Sequence, residues 1–140
     1  MTKADSALIL IVDDDYDFLQ ATRMVLERAG YRVATAVEPE RALEAMEMKK
    51  PDLVITDLMM TSLDSGFQLA RAIKENPRFA GIPVVIATSV SSALGLDFRP
   101  RTEADQADMH VDGYLDKPLD PPRLRETVAR LLDDSPSLEV

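Results

Sequence analysis

The stretch Leu8-Ile9-Leu10-Ile11-Val12-Asp13-Asp14-Asp15 decides how the rest of the chain is read. Its first five residues are apolar without alternation, the mark of a strand buried on both faces, as in a parallel sheet covered by helices. Polarity then switches in one step to three consecutive carboxylates. A strand that ends on acids delivers them to its carboxyl end, the edge at which parallel α/β sheets bind ligands.

Outward from this strand, apolar runs alternate with helical patterns, the ordering of a parallel sheet with helices on both sides. Phe18, Leu19, Thr22, Met24, Val25, Leu26 and Ala29 recur near the helical period, and Gly30 supplies a left-handed helix end. Tyr31 to Ala36 reads as the second strand. Glu38-Pro39 opens a helix carrying Ala42, Leu43, Ala45 and Met46, because proline suits the first helical position, and Pro51 closes it. Leu53-Val54-Ile55-Thr56 is the third strand. A helix from about Gly66 to Asn76 follows, with Phe67, Leu69, Ala70 and Ile73 inward. Pro83 to Ala87 is the fourth strand and Asp112 to Leu115 a brief fifth. Asp120-Pro121 caps and opens a last helix through Leu131 or Leu132, and the tail from Asp133 to Val140 is expected to fray. The segment from Ser89 to Asp112, with Gly95, Pro100 and little apolar periodicity, reads as loop with at most a short helix. Met46, Met48, Met59 and Met60 are read as core or gap-filling side chains.

The 140 residues suit one domain, with a core expected from about residue 7 to residue 132 and no output domain expected after the last helix. The formal net charge of −9 opposes direct binding to nucleic acid or to an anionic membrane surface. No cysteine and a single histidine, His110, leave oxygen as the only donor type for a metal site. With no run approaching a bilayer span and no signal-peptide pattern, a cytoplasmic location is expected.

In the doubly wound strand order 2-1-3-4-5, the switch point of the sheet falls between strands one and three. Asp13, Asp14 and Asp15 follow strand one and Asp57 follows strand three, so the fold gathers them on one edge. Like charges at short range repel, so a cation or a shared proton must offset them, and a hard divalent cation such as Mg2+ is the simplest solution. An Asp after a strand also serves as a helix cap, and Asp14 or Asp15 is placed to cap the helix from Tyr16. Thr88 ends strand four and Lys117 follows strand five; a hydroxyl and an ammonium there can each hold a phosphoryl oxygen.

These residues carry a resemblance. Ile11 to Asp15, Pro51-Asp52-Leu53-Val54-Ile55-Thr56-Asp57, Thr88, and Gly113-Tyr114-Leu115-Asp116-Lys117-Pro118 are together similar to the receiver domain of bacterial two-component response regulators, over essentially the whole chain. The resemblance implies a flavodoxin-like doubly wound five-stranded parallel sheet and a stand-alone receiver. It implies Asp57 as phosphoacceptor and a Mg2+ site from Asp13, Asp14, Asp57 and the Met59 carbonyl. Thr88 and Tyr114 match the switch pair, Lys117 the family's site lysine, and Lys117-Pro118 a cis peptide. The chain departs from the family at Thr61, where proline is usual, at Asp64-Ser65-Gly66, where glycine comes one residue late, and at Leu119, where an aromatic is frequent. The segment between Thr88 and Tyr114 exceeds the usual length by about two helical turns.

The function implied is acceptance of a phosphoryl group from a sensor histidine kinase or phosphotransfer protein within a phosphorelay, switching a protein-interaction surface. The output would pass to a downstream protein or a second copy of the chain. On that reading the chain is no enzyme beyond self-phosphorylation and slow autodephosphorylation. Two other readings compete: a receiver-like scaffold that takes no phosphate, and a small aspartate-nucleophile phosphohydrolase. The latter draws on Asp13 and Asp15 as an Asp-x-Asp pair, but Asp17 stands where Thr or Val is wanted. Phe98, Arg99 and Arg101 are candidate partner contacts, and His110 reads as a loop residue rather than a phosphodonor.

Overall fold

In the computed structural model, residues 7–57, 65–88, 111–117 and 120–133 are described. They form β1 (Leu8–Val12), α1 (Tyr16–Arg28), β2 (Arg32–Ala36), α2 (Pro39–Met48), β3 (Leu53–Asp57), α3 (Ser65–Glu75), β4 (Val84–Thr88), β5 (Gly113–Asp116) and α4 (Pro121–Asp133). The five strands are parallel in the order β2-β1-β3-β4-β5, the expected doubly wound topology. Expectations attached to Met59, Met60, Thr61, the side chain of Thr88, residues 89–110, Pro118, Leu119 and residues 134–140 lie outside the described residues.

The strand period of two divides the core between the faces. Leu10, Val12, Val54, Val84 and Ile86 meet Ala42 and Met46 of α2 and Leu69, Ala70 and Ile73 of α3. Ile9, Ile11, Leu53, Ile55, Val85, Ala87 and Leu115 meet Leu19 and Leu26 of α1 and Leu124, Val128 and Leu132 of α4. Every residue of β1 is buried, which is why its sequence shows no polar alternation.

Local chemistry sets the boundaries. The α1 helix starts where the Asp15 carboxylate accepts the N–H groups of Asp17 and Phe18, so of the two candidate caps it is Asp15 that serves. It ends in a Schellman motif: Gly30, at φ 102°, donates to Glu27 O, and Tyr31 donates to Leu26 O. Tyr31 therefore belongs to the helix end, and β2 begins at Arg32, one residue later than expected. Strand β4 likewise runs one residue further, because Thr88 pairs with Asp116 of β5. Pro39 opens α2, and the Asp120 carbonyl takes the first bond of α4 from Leu124 N–H. One methionine assignment is corrected: Met48, at 88% exposure, fills no gap in the core; Met24, part of the helical apolar series, lies on the exposed side of α1.

Candidate functional site

The register determines which residues meet. Val12 is level with Thr56, and Asp57 is level with Ala87, so Asp13 emerges from the sheet beside Asp57. Asp13 is fully buried and Asp57 nearly so, whereas Asp14 is exposed. Carboxylate oxygens of Asp13, Asp14 and Asp57 all lie within 4.8 Å of one another.

Lys117 comes to this cluster from the end of β5. Its Nζ donates to Asp13 Oδ2 at 2.8 Å and lies 3.5 Å from Asp57 Oδ1. The other Asp13 oxygen accepts the Asp15 N–H at 2.8 Å, which ties the site to the start of α1. Burial pushes the Asp13 carboxyl above the usual aspartate range, a push that the Lys117 hydrogen bond and the Asp15 N–H only partly oppose.

Three carboxylates against one ammonium leave two negative charges at close range, the deficit that one divalent cation fills. The donors are hard oxygens at chelating separation, so these residues fit Mg2+. Asp13, Asp14, Asp57 and Lys117 are thus brought together as expected. Thr88 ends β4 on the same edge, and Tyr114 of β5 lies level with Ile86 and packs against the α2–α3 side of the core. The Met59 carbonyl falls outside the described residues.

One neighbour escaped the sequence reading. Phe18, read there only as part of the helical apolar series, holds its ring under the Lys117 ammonium, with Nζ 4.4 Å from the ring centroid. Its place in the first turn after the Asp15 cap is the sequence signal; that the turn faces the end of β5 is visible only in the folded chain.

A doubly wound sheet with paired acids at its switch point and an ammonium across from them defines a phosphoryl-handling receiver. The chain matches the response regulator receiver domain family over residues 9–129 and belongs to it. It is 30% identical over 128 residues to the alkaline phosphatase synthesis transcriptional regulatory protein PhoP of Bacillus subtilis, covering 89% of this chain and 48% of that protein. It is 33% identical over 115 residues to an uncharacterized 14.6 kDa protein in the sodA1 3' region of Leptolyngbya boryana, covering 81% of this chain and 80% of that one. The chemotaxis response regulator CheY4 of Vibrio cholerae superposes with a TM-score of 0.75 at 26% identity, covering 90% of this chain and 98% of that chain. The chain spans about half the length of most of the curated relatives it matches first. Its class is therefore the phosphoacceptor module of two-component signalling, and the phosphohydrolase reading is not favoured. Among the described residues, no helix is long and apolar enough to cross a membrane.

Proposed function

We propose that Asp57 is the phosphoacceptor, that Asp13, Asp14 and Asp57 hold Mg2+ with the Met59 carbonyl, and that the phosphodonor is a phosphohistidine on a sensor kinase or phosphotransfer protein. The supporting observation is the convergence of three carboxylates within 4.8 Å, with Lys117 Nζ 3.5 Å from the Asp57 carboxylate. An oxygen of Asp57 attacks the phosphorus in line; the new P–O bond forms as the P–N bond to the donor imidazole breaks, and that nitrogen keeps the electron pair. Lys117 donates to the transferring phosphoryl oxygens, exchanging a carboxylate partner for a phosphoryl one. When bound, the divalent cation supplies charge neutralisation for the same oxygens.

Phosphorylation adds about one negative charge, because the acyl linkage removes the carboxylate's own. Thr88 and Tyr114 read out that change: the hydroxyl bonds the phosphoryl group, the ring turns inward, and the β4–β5 surface shifts between two arrangements. Output passes to another protein or a second copy of this chain, and the net charge of −9 argues against nucleic acid or a membrane surface as the contact. Residues 1–140 act as one receiver domain in the cytoplasm, with chemistry limited to self-phosphorylation and slow autodephosphorylation.

The test is incubation with Mg2+ and a small phosphodonor, followed by mass spectrometry of the intact chain. A gain of one phosphoryl group that Asp57→Asn abolishes is expected. No gain, or a gain that survives the substitution, rejects the assignment.

A further inference from the structure

We propose that Phe18 is a positioning residue for phosphoryl transfer: its ring is the fixed half of the Lys117 binding site and keeps the ammonium at Asp57 when the other contacts of that ammonium change. The proposal rests on the reading of Asp57 as acceptor and adds to it a residue outside the charged cluster.

The described contacts of Lys117 Nζ are Asp13 Oδ2 at 2.8 Å, Asp57 Oδ1 at 3.5 Å and the Phe18 ring at 4.4 Å. Both carboxylates are committed elsewhere during the reaction. Asp13 belongs to the cation cluster, and Asp57 loses its negative charge when its oxygen bonds phosphorus. A cation held by Asp13 also repels the ammonium at short range. The ring face attracts the ammonium through its quadrupole, carries no net charge and is unchanged by either event. Without it, a four-carbon side chain with several rotatable bonds would leave for solvent as its ion pairs weaken.

The ring is anchored for this role. The Asp15 cap fixes where α1 begins and accepts the Phe18 N–H itself at 3.3 Å. Side chains lean toward the N-terminus of their helix, which here carries the Phe18 ring toward the sheet edge from which Lys117 emerges. Phe18 is partly buried and packs against the α1–α4 side of the core, the cluster that includes Leu19, Ile55 and Leu115. A leucine at this position keeps the apolar packing and removes the quadrupole, whereas tyrosine keeps both.

The experiment uses Phe18→Leu and Phe18→Tyr with two readouts. In nuclear magnetic resonance of the unmodified protein, ring currents should move the Lys117 ε-methylene signals upfield, with and without Mg2+; Phe18→Leu should abolish the shift. With a small phosphodonor, Phe18→Leu should lower the maximal rate of modification about three- to tenfold at unchanged donor half-saturation, and Phe18→Tyr should restore it. Unshifted Lys117 signals, a shift lost on adding Mg2+, or an equal rate loss in both variants would overturn the proposal. Should the wild type gain no phosphoryl group, the acceptor reading fails, and the resonance arm still decides whether the ring holds the ammonium.

Discussion

Lys117 and Asp13, 104 positions apart in the chain, form a 2.8 Å ion pair in which the carboxylate is fully buried and the ammonium side chain is 19% exposed. The pair is asymmetric in cost. Burial opposes the charged form of Asp13, while Lys117 has Asp57 and the Phe18 ring as further partners. Removing one member or the other should therefore move stability in opposite directions. Asp13→Asn replaces a buried charge by an isosteric neutral group and should stabilise the metal-free fold by about 1 kcal/mol. Lys117→Met leaves a buried carboxylate without its cation and should cost about 3 kcal/mol. Urea unfolding without divalent cations measures both, and a Lys117→Met protein as stable as the wild type would contradict the argument.

The pH dependence follows from the same carboxyl. Burial raises the Asp13 pKa in the folded chain above its unfolded value, so between the two values the folded form binds more protons. Stability contributed by this group is then complete below the ordinary aspartate value and is lost as pH rises through the folded one. The advantage of Asp13→Asn at neutral pH should accordingly shrink as the solution is acidified towards about pH 4. Mg2+ affinity of the wild type should fall over the same interval, because the proton and the cation compete for one carboxylate. Unfolding curves and calorimetric Mg2+ titrations across that range check both signs.

Most of the scaffold was legible because its signals are local. Burial on both faces leaves β1 no polar position, Gly30 is required by its positive φ, and proline marks the start of α2. The meeting of Asp13, Asp14 and Asp57 was legible for a different reason: in a parallel sheet every strand delivers its last residue to the same edge. What stayed hidden depends on side-chain direction over long chain separations. The Phe18 ring under Lys117 is one case, and the roles of Asp52 and Asp112 are another. Helical periodicity also could not separate the exposed Met24 from its buried neighbours Thr22 and Leu26, since one residue of drift on a helix turns a side chain by more than a quarter of the circumference.

Asp52 and Asp112 close the opposite edge of the sheet by the same device. The Asp52 N–H donates to Leu8 O at 2.7 Å while its carboxylate accepts the Leu8 N–H at 2.8 Å. The Asp112 N–H donates to Val84 O at 2.8 Å while its carboxylate accepts the Val84 N–H at 2.8 Å. Each aspartate, one residue ahead of its own strand, satisfies the first residue of the neighbouring strand. Asp112 further pairs with Lys74 Nζ at 2.7 Å, and that ammonium also donates to Ile82 O at 2.7 Å. Alanine at either position strands an N–H and should cost about 1–2 kcal/mol. Asp112→Ala should be the more costly because Lys74 loses a partner as well. Chemical denaturation of the two variants checks the size and the order.

Gly113 of β5 faces side chains of α4 at short range. A Cβ there would meet Leu131 Cδ1 and Val85 Cγ2 at 3.3 Å and Thr127 Cγ2 at 3.6 Å. Val85 is fully buried and β-branched, so its methyl cannot retreat, and the helix side chains must give instead. Gly113→Ala should therefore cost about 1 kcal/mol despite the lower entropy of its unfolded chain, and Gly113→Val about 2–3 kcal/mol. The larger substitution carries a functional consequence, because Lys117 lies four residues along the same segment. A β5 pushed away from α4 takes the ammonium from Asp13 and the Phe18 ring, so Gly113→Val should lose the Lys117 methylene shift as well as stability. Melting temperature and that resonance, measured on one sample, should fall together; a destabilised Gly113→Val that keeps the full shift would show that the site is held by α1 and β3 without β5.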